Sequence, residues 1–599
     1  MAHYFRSKFL SGWQIKQNNK IEDLPAMQTF SELKRNLKKN FTNCKTIKVA
    51  LLGDTATQLL IQALRGTGFE KGIDLQLWEA DFNQIERQVF DPVSELYKFN
   101  PEIIIIFHSA HKLLAKYNKL KPELYSSLAE MQMVSVSNIV TTINDQIKAK
   151  IIYYNYTEIN DTIFGNYANK IQSSFLFQIR KLNYELMVFA VSQFNFYICD
   201  LSSVQNQSGK SSFFQTAVYI NTDMVLSIDI LPEVAAKTLD LIAALLGIFN
   251  KCLIVDLDNT MWGGIIGDDG IENIQLGNLG IGKAFTEFQY WIKKLKNRGV
   301  IIAICSKNTE SVAKEPFEKH PDMVVHLDDI AVFIANWENK ADNIRQIQSI
   351  LNIGFDSMVF LDDNPFERNI VRENIPGITV PELPEDPADY LEFLYQQNLF
   401  ETISFSGEDA ERTKQYQVEA KRTVLKKNFI NEDEFLTSLN MVSMVEPFNT
   451  FNQPRVAQLS QRSNQFNLRT IRYTEADIEI IAKDQNNFSF SFTLEDKYGD
   501  NGLICVVILK NENNNTLFVD TWLMSCRVLK RGMENFVLNT IADFAKQKGF
   551  VYLKGEYLPT SKNEMVKNHY FHLGFETDND YWLLDVTKYK NKSTLISIK

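Results

Sequence analysis

The first strong apolar pattern is Ile47–Leu52 (IKVALL), a short run that stops at Gly53-Asp54-Thr55 and is followed by TQLLIQALR, whose apolar spacing is helical. Further apolar runs at Ile103–Phe107 and Ile151–Tyr154 alternate with helical stretches. Strands separated by helices predict a parallel sheet wrapped in helices. A helix rich in Leu and Ala over Pro232–Phe249 leads into Lys251-Cys-Leu-Ile-Val-Asp256, an apolar strand that ends in acids and begins a second α/β unit. Its later strands are predicted at Val300–Cys305, Met323–His326, Met358–Leu361 and Ile378–Val380. They are apolar throughout, as expected where a parallel sheet is covered on both faces. The turn-rich run Pro381–Pro387 closes this unit, with a helix over Tyr390–Asn398 still packed on it. Beyond Ser404 the sequence is charged and helical to Leu439, then rich in strands (FSFSFTLED, GLICVVILK, TLFVDTWLM) before a helix over Gly532–Lys548. Alternation along those strands predicts an antiparallel sheet flanked by helices. The pattern gives an α/β protein of three domains, 1–245, 246–400 and 401–599, the first two with Rossmann-like parallel sheets and the last α+β.

The length of 599 residues agrees with this division, because single cores stop growing near ~250 to 300 residues. With 45% hydrophobic and 23% charged residues the composition is that of a globular chain. A net charge of -10 argues against electrostatic attraction to nucleic acid or anionic lipid. The six cysteines, at 44, 199, 252, 305, 505 and 526, include no C-x-x-C pair, which argues against a disulfide framework or zinc ribbon and for reduced cytosol. The first residues, MAHYFRSKFLSGWQIK, hold no apolar h-region. Nor does any segment offer the roughly 18 uninterrupted apolar residues of a membrane span. A cytoplasmic protein with no nucleic-acid or membrane partner is expected.

Candidate chemistry lies at the ends of the second unit's strands. Asp256-Leu-Asp258-Asn-Thr260 puts two carboxylates at the C-terminal end of an apolar strand, where open α/β sheets expose their ligand crevice. One acid can attack phosphorus while the other gives a proton to the leaving oxygen and later activates water. Leu361-Asp362-Asp363-Asn-Pro is a second apolar strand ending in acids, and it adds oxygen ligands suited to hard Mg2+. Phosphoryl transfer also needs donors on the equatorial oxygens. Ser306, ending the strand VIIAICS, and Lys340, opening a helix after Asn336-Trp337, are the candidates.

These four elements, in this order, resemble the haloacid dehalogenase superfamily of phosphotransferases. More narrowly, DLDNTMWGGIIGDDG, GKAFTEFQ, SKN, NWENKADNI, LNIG and FLDDNPFERN look like its FkbH-type branch, in subfamily IIIC, through residues 251–390. The resemblance implies Asp256 as nucleophile and Asp258 as general acid/base, with Thr260, Ser306, Lys307, Asn308 and Lys340 binding the phosphorylated small-molecule substrate. It also implies Mg2+ held by Asp256, Asp362 and the backbone carbonyl of Asp258, with Asp363 in support. No large cap insertion interrupts the unit, so an open site able to admit a large substrate or a carrier protein is expected.

The likeness continues through QLSQRSNQFNLRT, DKYGDNGL, TWLMSCRVLKRGME and PTSKNEMVKNHYFHLGF, a stretch that resembles an acyltransferase of the GNAT type. In that fold a glycine loop opening a helix holds the pyrophosphate of coenzyme A on backbone N–H groups. Here the loop has the single glycine Gly532 where two are usual, which argues against acetyl-coenzyme A itself. FkbH-type proteins load a glyceryl unit from a bisphosphorylated glycerate onto an acyl carrier protein. Cys526, beside Arg527 and before a predicted helix, is a candidate nucleophile toward an acyl phosphate, since positive charge favours the thiolate. The plainer reading of Cys526 is a buried strand residue. Asn464, Asn467, Arg469 and Lys562 are open to two readings as well, specificity groups or turn and surface residues.

In the first domain, Leu51-Leu-Gly53-Asp54-Thr55 resembles the first block of SGNH-type esterases, with threonine where that family presents serine. Asp229-Ile-Leu-Pro lacks the histidine of a late Asp-x-x-His pair, and His108 and His111 read as loop residues. A binding or scaffold domain is expected there. For the whole chain the expectation is a Mg2+-dependent phosphatase coupled to acyl transfer onto a carrier protein. The alternatives are a phosphatase of a soluble phosphomonoester such as a sugar phosphate, or a non-catalytic scaffold.

Overall fold

A computed structural model describes residues 28–599 apart from residues 43, 82, 427, 428, 430, 514 and 561. The segment MAHYFRSKFLSGWQIK, expected to hold no apolar leader, lies outside the described residues. Among the described residues the chain divides into two compact units, one of residues 250–349 and 353–399, the other of residues 28–249, 350–352 and 400–599.

The larger unit holds two sheets. The first has five parallel strands, β1 (Lys45–Gly53), β2 (Ile73–Glu79), β3 (Ile103–Phe107), β4 (Lys150–Tyr154) and β5 (Phe196–Cys199), in the order β2-β1-β3-β4-β5. In β3 the five residues IIIIF are all buried, because helices cover both pleat faces. Ile103 and Ile105 join a core with Leu60, Leu64 and Leu239, whereas Ile104 and Ile106 join another with Val136, Ile139 and Ile179. The helix expected over Pro232–Phe249 runs Leu231–Leu245, with Pro232 in its first turn, where a missing N–H leaves no intrahelical bond unmade.

The smaller unit is built on a four-stranded parallel sheet of β6 (Cys252–Val255), β7 (Ile301–Ser306), β8 (Val332–Ala335) and β9 (Met358–Leu361), ordered β8-β7-β6-β9. Two expectations are corrected here. Met323–His326 is not a strand: the amides of Val324 and Val325 donate to Gln289 Oε1 at 2.9 and 3.2 Å, and that of His326 donates to Asp329. Side chains satisfy these backbone groups, and the strand that pairs with β7 is β8. Ile378–Val380 contributes a single parallel bridge, Thr379 to Val359, and Pro381 next to it has no N–H to extend a ladder. The helix predicted to follow runs Tyr390–Gln397.

The second sheet of the larger unit contains β10 (Met441–Ser443), β11 (Val445–Glu446), β12 (Asn487–Asp496), β13 (Gly499–Asn513), β14 (Thr516–Met524), β15 (Tyr552–Glu556), β16 (Glu576–Asp578), β17 (Tyr581–Asp585) and β18 (Ile596–Ile598). It is mixed, not antiparallel throughout: β14 runs parallel to β15, and β10 to β18. Helix Met533–Gln547 lies between β14 and β15 in the chain, giving the crossover that parallel neighbours require. Among the described residues no helix is long and apolar enough to cross a membrane.

Candidate active site

Register brings the two acidic strand ends together. Val255 of β6 pairs with Leu361 of β9, and the N–H of Asp256 donates to the Leu361 carbonyl at 3.0 Å. Asp256 and Asp362 therefore leave the sheet side by side. Oxygens of Asp256, Asp362 and Asp363 lie within 4.8 Å of one another. Lys340, the first residue of helix Lys340–Leu351, sets its Nζ 2.8 Å from Asp256 Oδ2 and 2.6 Å from Asp362 Oδ2.

Three carboxylates crowd together with one ammonium paired to two of them, and Asp256 Oδ1 is buried with no hydrogen-bond partner. Burial pushes the Asp362 carboxyl up to about 7, and the charge of Asp256 adds to the effect. Asp363 is raised for the same two reasons, in the same order. For Lys340 burial opposes the charged form, but the carboxylates of Asp256 and Asp362 outweigh it and hold the ammonium protonated. The crowded carboxylates are thus the groups that gain from a further cation. An all-oxygen donor set with an orphaned carboxylate oxygen fits a hard divalent ion.

Asp258 turns aside from this cluster. Its Oδ1 accepts from Trp262 Nε1 and from the Ile266 N–H, both at 3.0 Å, and its Oδ2 accepts from Asn308 Nδ2 at 2.8 Å. Asn259, at φ 54°, supplies the left-handed turn between these elements, a conformation that asparagine adopts more readily than most residues. Asp258 nevertheless lines the same cavity of about 600 Å3 as Asp256, Ser306, Lys307, Asn308 and Lys340. Ser306 ends β7, with its hydroxyl 3.3 Å from Asn308 Nδ2. Lys307 pairs with Glu367 at 2.6 Å. Thr260 is fully buried; its hydroxyl donates to Asp363 Oδ1 at 3.2 Å and accepts from the Asp363 N–H at 3.1 Å, which sets it behind Asp363.

Sequence reasoning passed over Trp262, Glu367 and Arg368. Arg368 donates to the carbonyls of Asp362 and Asp363 at 2.8 and 2.7 Å and so fixes the second acidic strand end. The signals were present: Trp262 stands four residues after Asp258, and Glu367-Arg368 belong to FLDDNPFERN.

Cys526 and Arg527 belong to the larger unit. They follow β14 in a short 3-10 turn, Cys526–Val528, so Cys526 is not a strand residue and is only partly buried. Its Sγ lies 3.8 Å from the Tyr416 hydroxyl. Arg527 is buried and donates to Ser525 Oγ at 3.2 Å and to Gln415. Asn464 and Arg469 serve the fold: Asn464 Nδ2 donates to the Gly247 carbonyl, and Arg469 pairs with Asp520 and Glu556.

With this geometry in place, similarity to known proteins is informative. The family model for the FkbH N-terminal domain matches residues 48–243. The crystal structure of the N-terminal part of a Bacteroides fragilis protein, containing a phosphatase domain and complexed with magnesium, is 59% identical, with a TM-score of 0.61. That match covers 63% of this chain and 100% of the other. The ribosomal-protein-S18-alanine N-acetyltransferase of Escherichia coli matches at 12% identity over 25% of this chain and 99% of its own, with a TM-score of 0.20. An N-acetyltransferase of Staphylococcus aureus matches at 14% identity over 24% of this chain and 99% of its own, also at 0.20. A TM-score of 0.20 supports no inference about fold or activity. No curated protein gives a significant match. The match at 59% identity, which takes in the whole of the other chain, decides the family, and the family-model match agrees: the chain belongs to the FkbH-type phosphatases of the haloacid dehalogenase superfamily.

Proposed function

We propose that the chain comprises three domains, 1–245, 246–400 and 401–599, of which the middle one is a Mg2+-dependent phosphatase of phosphorylated small molecules. The observation that carries this reading is the gathering of Asp256, Asp362 and Asp363, whose oxygens lie within 4.8 Å of one another, with the Lys340 ammonium on the first two and an orphaned oxygen on Asp256. The magnesium complex of the Bacteroides fragilis relative supports the choice of ion. Bound by Asp256, Asp362, Asp363 and the carbonyl of Asp258, Mg2+ would offset the repulsion between these carboxylates and an incoming phosphoryl group.

In this proposal an Asp256 oxygen attacks phosphorus, and the new O–P bond forms as the bond to the leaving oxygen breaks. Asp258, oriented by Trp262, Ile266 and Asn308, gives its proton to that oxygen and releases the alcohol. The ionised Asp258 then takes a proton from water, whose oxygen attacks the aspartyl phosphate. Inorganic phosphate leaves and Asp256 is restored. Ser306 and Lys340, with Lys307 and Asn308 on the same cavity wall, hold the phosphoryl oxygens. Phosphate release from a panel of phosphorylated metabolites tests the assignment; it should require Mg2+ and vanish in Asp256→Asn.

The finer proposal concerns residues 401–599. The Cys526 thiolate attacks the carbonyl of an acyl phosphate, the C–S bond forms as the C–O bond to phosphate breaks, and the thiol of an acyl carrier protein then displaces Cys526. Support comes from the position of Cys526 at the end of β14, partly exposed and next to Arg527. All six cysteines are free, in keeping with a cytoplasmic location. Incubation with labelled bisphosphoglycerate, Mg2+ and a carrier protein should yield acyl-carrier product. Phosphate release without such a product would favour the simpler reading, a phosphatase of a soluble phosphomonoester.

A further inference from the structure

The parallel sheet of the larger unit carries a cavity that the phosphatase does not use. Its order, β2-β1-β3-β4-β5, reverses the direction of winding between β1 and β3. In open parallel sheets the loops after two such strands run apart and leave a ligand crevice beyond their carboxyl ends. Asp54 directly follows β1 here, and His108-Ser109 follow β3. Between them lies a cavity of about 190 Å3, lined among others by Asp54, Glu86, His108, Lys112, Lys116 and Tyr156.

Some of these groups are consumed by the fold. Both carboxylate oxygens of Asp54 accept from the Ser109 N–H, at 3.0 and 2.9 Å, which fixes the loop after β3. Lys112 is neutralised by Asp223 at 2.6 Å. Others are left over. His108, 7% exposed, has Nδ1 2.9 Å from the Tyr153 hydroxyl, yet its Nε2 is buried with no partner. An unmade hydrogen bond at a buried ring nitrogen costs free energy that a ligand atom would recover. Lys116, at the more exposed margin of the cavity, reaches the neutral Gln132 Oε1 at 3.0 Å and forms no ion pair among the described residues.

Size and charge narrow the ligand. The cavity is smaller than the ~300 to 1,000 Å3 typical of sites for drug-sized ligands, so its occupant is a small metabolite. Lys116 makes no ion-pair contact but feels the Glu86 carboxylate, and one such ammonium beside two acids, Asp54 and Glu86, suits a monoanion better than a phosphate dianion. Burial pushes Asp54 up to about 7, so its carboxyl is partly protonated at neutral pH and tolerates a nearby anion. Thr55, the residue in the position of an esterase nucleophile, is fully buried and does not line the cavity, which leaves binding without hydrolysis.

We propose that this cavity binds a small hydroxy-carboxylate, its carboxylate on Lys116 and its hydroxyl on His108 Nε2. The test is calorimetric titration of the full chain, in magnesium-free buffer, with glycolate, lactate and malate. Acetate and propionate lack the hydroxyl, glycerol lacks the carboxylate, and inorganic phosphate represents the dianion. At least one hydroxy-carboxylate should bind at millimolar concentration or below, and the controls should bind about tenfold more weakly or worse. Lys116→Met, a change at an exposed position, and His108→Gln should each weaken that binding by about tenfold while phosphate release stays at the wild-type rate. Failure of every hydroxy-carboxylate to bind, preference for phosphate, or undiminished affinity in both variants would overturn the assignment.

Discussion

Asn308 donates a hydrogen bond to Asp258 Oδ2 at 2.8 Å, and this bond orients the carboxyl group toward its side of the active-site cavity. Removing the donor leaves Asp258 with Trp262 and Ile266 on its other oxygen only. Misplacing a catalytic group by a fraction of its length is costly, so Asn308→Ala should lower kcat by about 10- to 100-fold. Asp258→Asn should lower it by about 100- to 10,000-fold, because the proton itself is lost. Steady-state rates decide; a wild-type kcat in Asn308→Ala would remove Asn308 from the account.

Lys340 is 3% exposed and is the partner of two carboxylates. Its replacement by Met leaves buried negative charges without their cation, a change that costs about 3–5 kcal/mol. Urea unfolding of the phosphatase unit should show this loss in magnesium-free buffer. Added Mg2+ should return part of it, since the ion binds the folded carboxylates and not the unfolded chain. Equal destabilisation with and without Mg2+ would mean that these acids do not share an ion.

Much of this site was legible because its chemistry sits at strand ends. Cys252–Val255 and Met358–Leu361 are short apolar runs that stop at acids, the pattern of a buried parallel strand followed by its loop. The strand at Val332–Ala335 was missed in favour of Met323–His326 for the opposite reason. Both are short apolar runs, and the choice between them is tertiary: Gln289, from a helix distant in sequence, takes the amides of Val324 and Val325, while the Ala331 N–H reaches Ile302. Thr260 was read as a substrate contact from its motif, but its packing against Asp363 depends on a register between β6 and β9 that no local pattern contains.

Asp54 predicts a pH signature. Its pKa is raised from 3.8 to about 7, first by burial, with Asp223 a smaller contributor in the same direction. Between those values the folded state keeps a proton that the unfolded chain releases. The favourable contribution is therefore greatest near and below pH ~4, falls as pH rises to about 7, and is level above that. Denaturation profiles of the wild type and Asp54→Asn should diverge across this window and run parallel above it. Parallel profiles throughout would show that the carboxyl is not held protonated.

Cys526→Ala separates the two proposed chemistries. Acyl-carrier product should fall to background, whereas hydrolysis of a simple phosphomonoester should proceed at the wild-type rate. Retention of acyl transfer in the variant would assign that step to another group.

The central claim is that Asp256 attacks phosphorus beside a divalent ion shared with Asp362 and Asp363. Phosphate release from para-nitrophenyl phosphate, measured for wild type and Asp256→Asn with Mg2+ and with chelator, tests it most directly. The account predicts turnover only for the wild type with Mg2+. Turnover at the wild-type rate by a folded Asp256→Asn, or by wild type stripped of divalent metal, would contradict it.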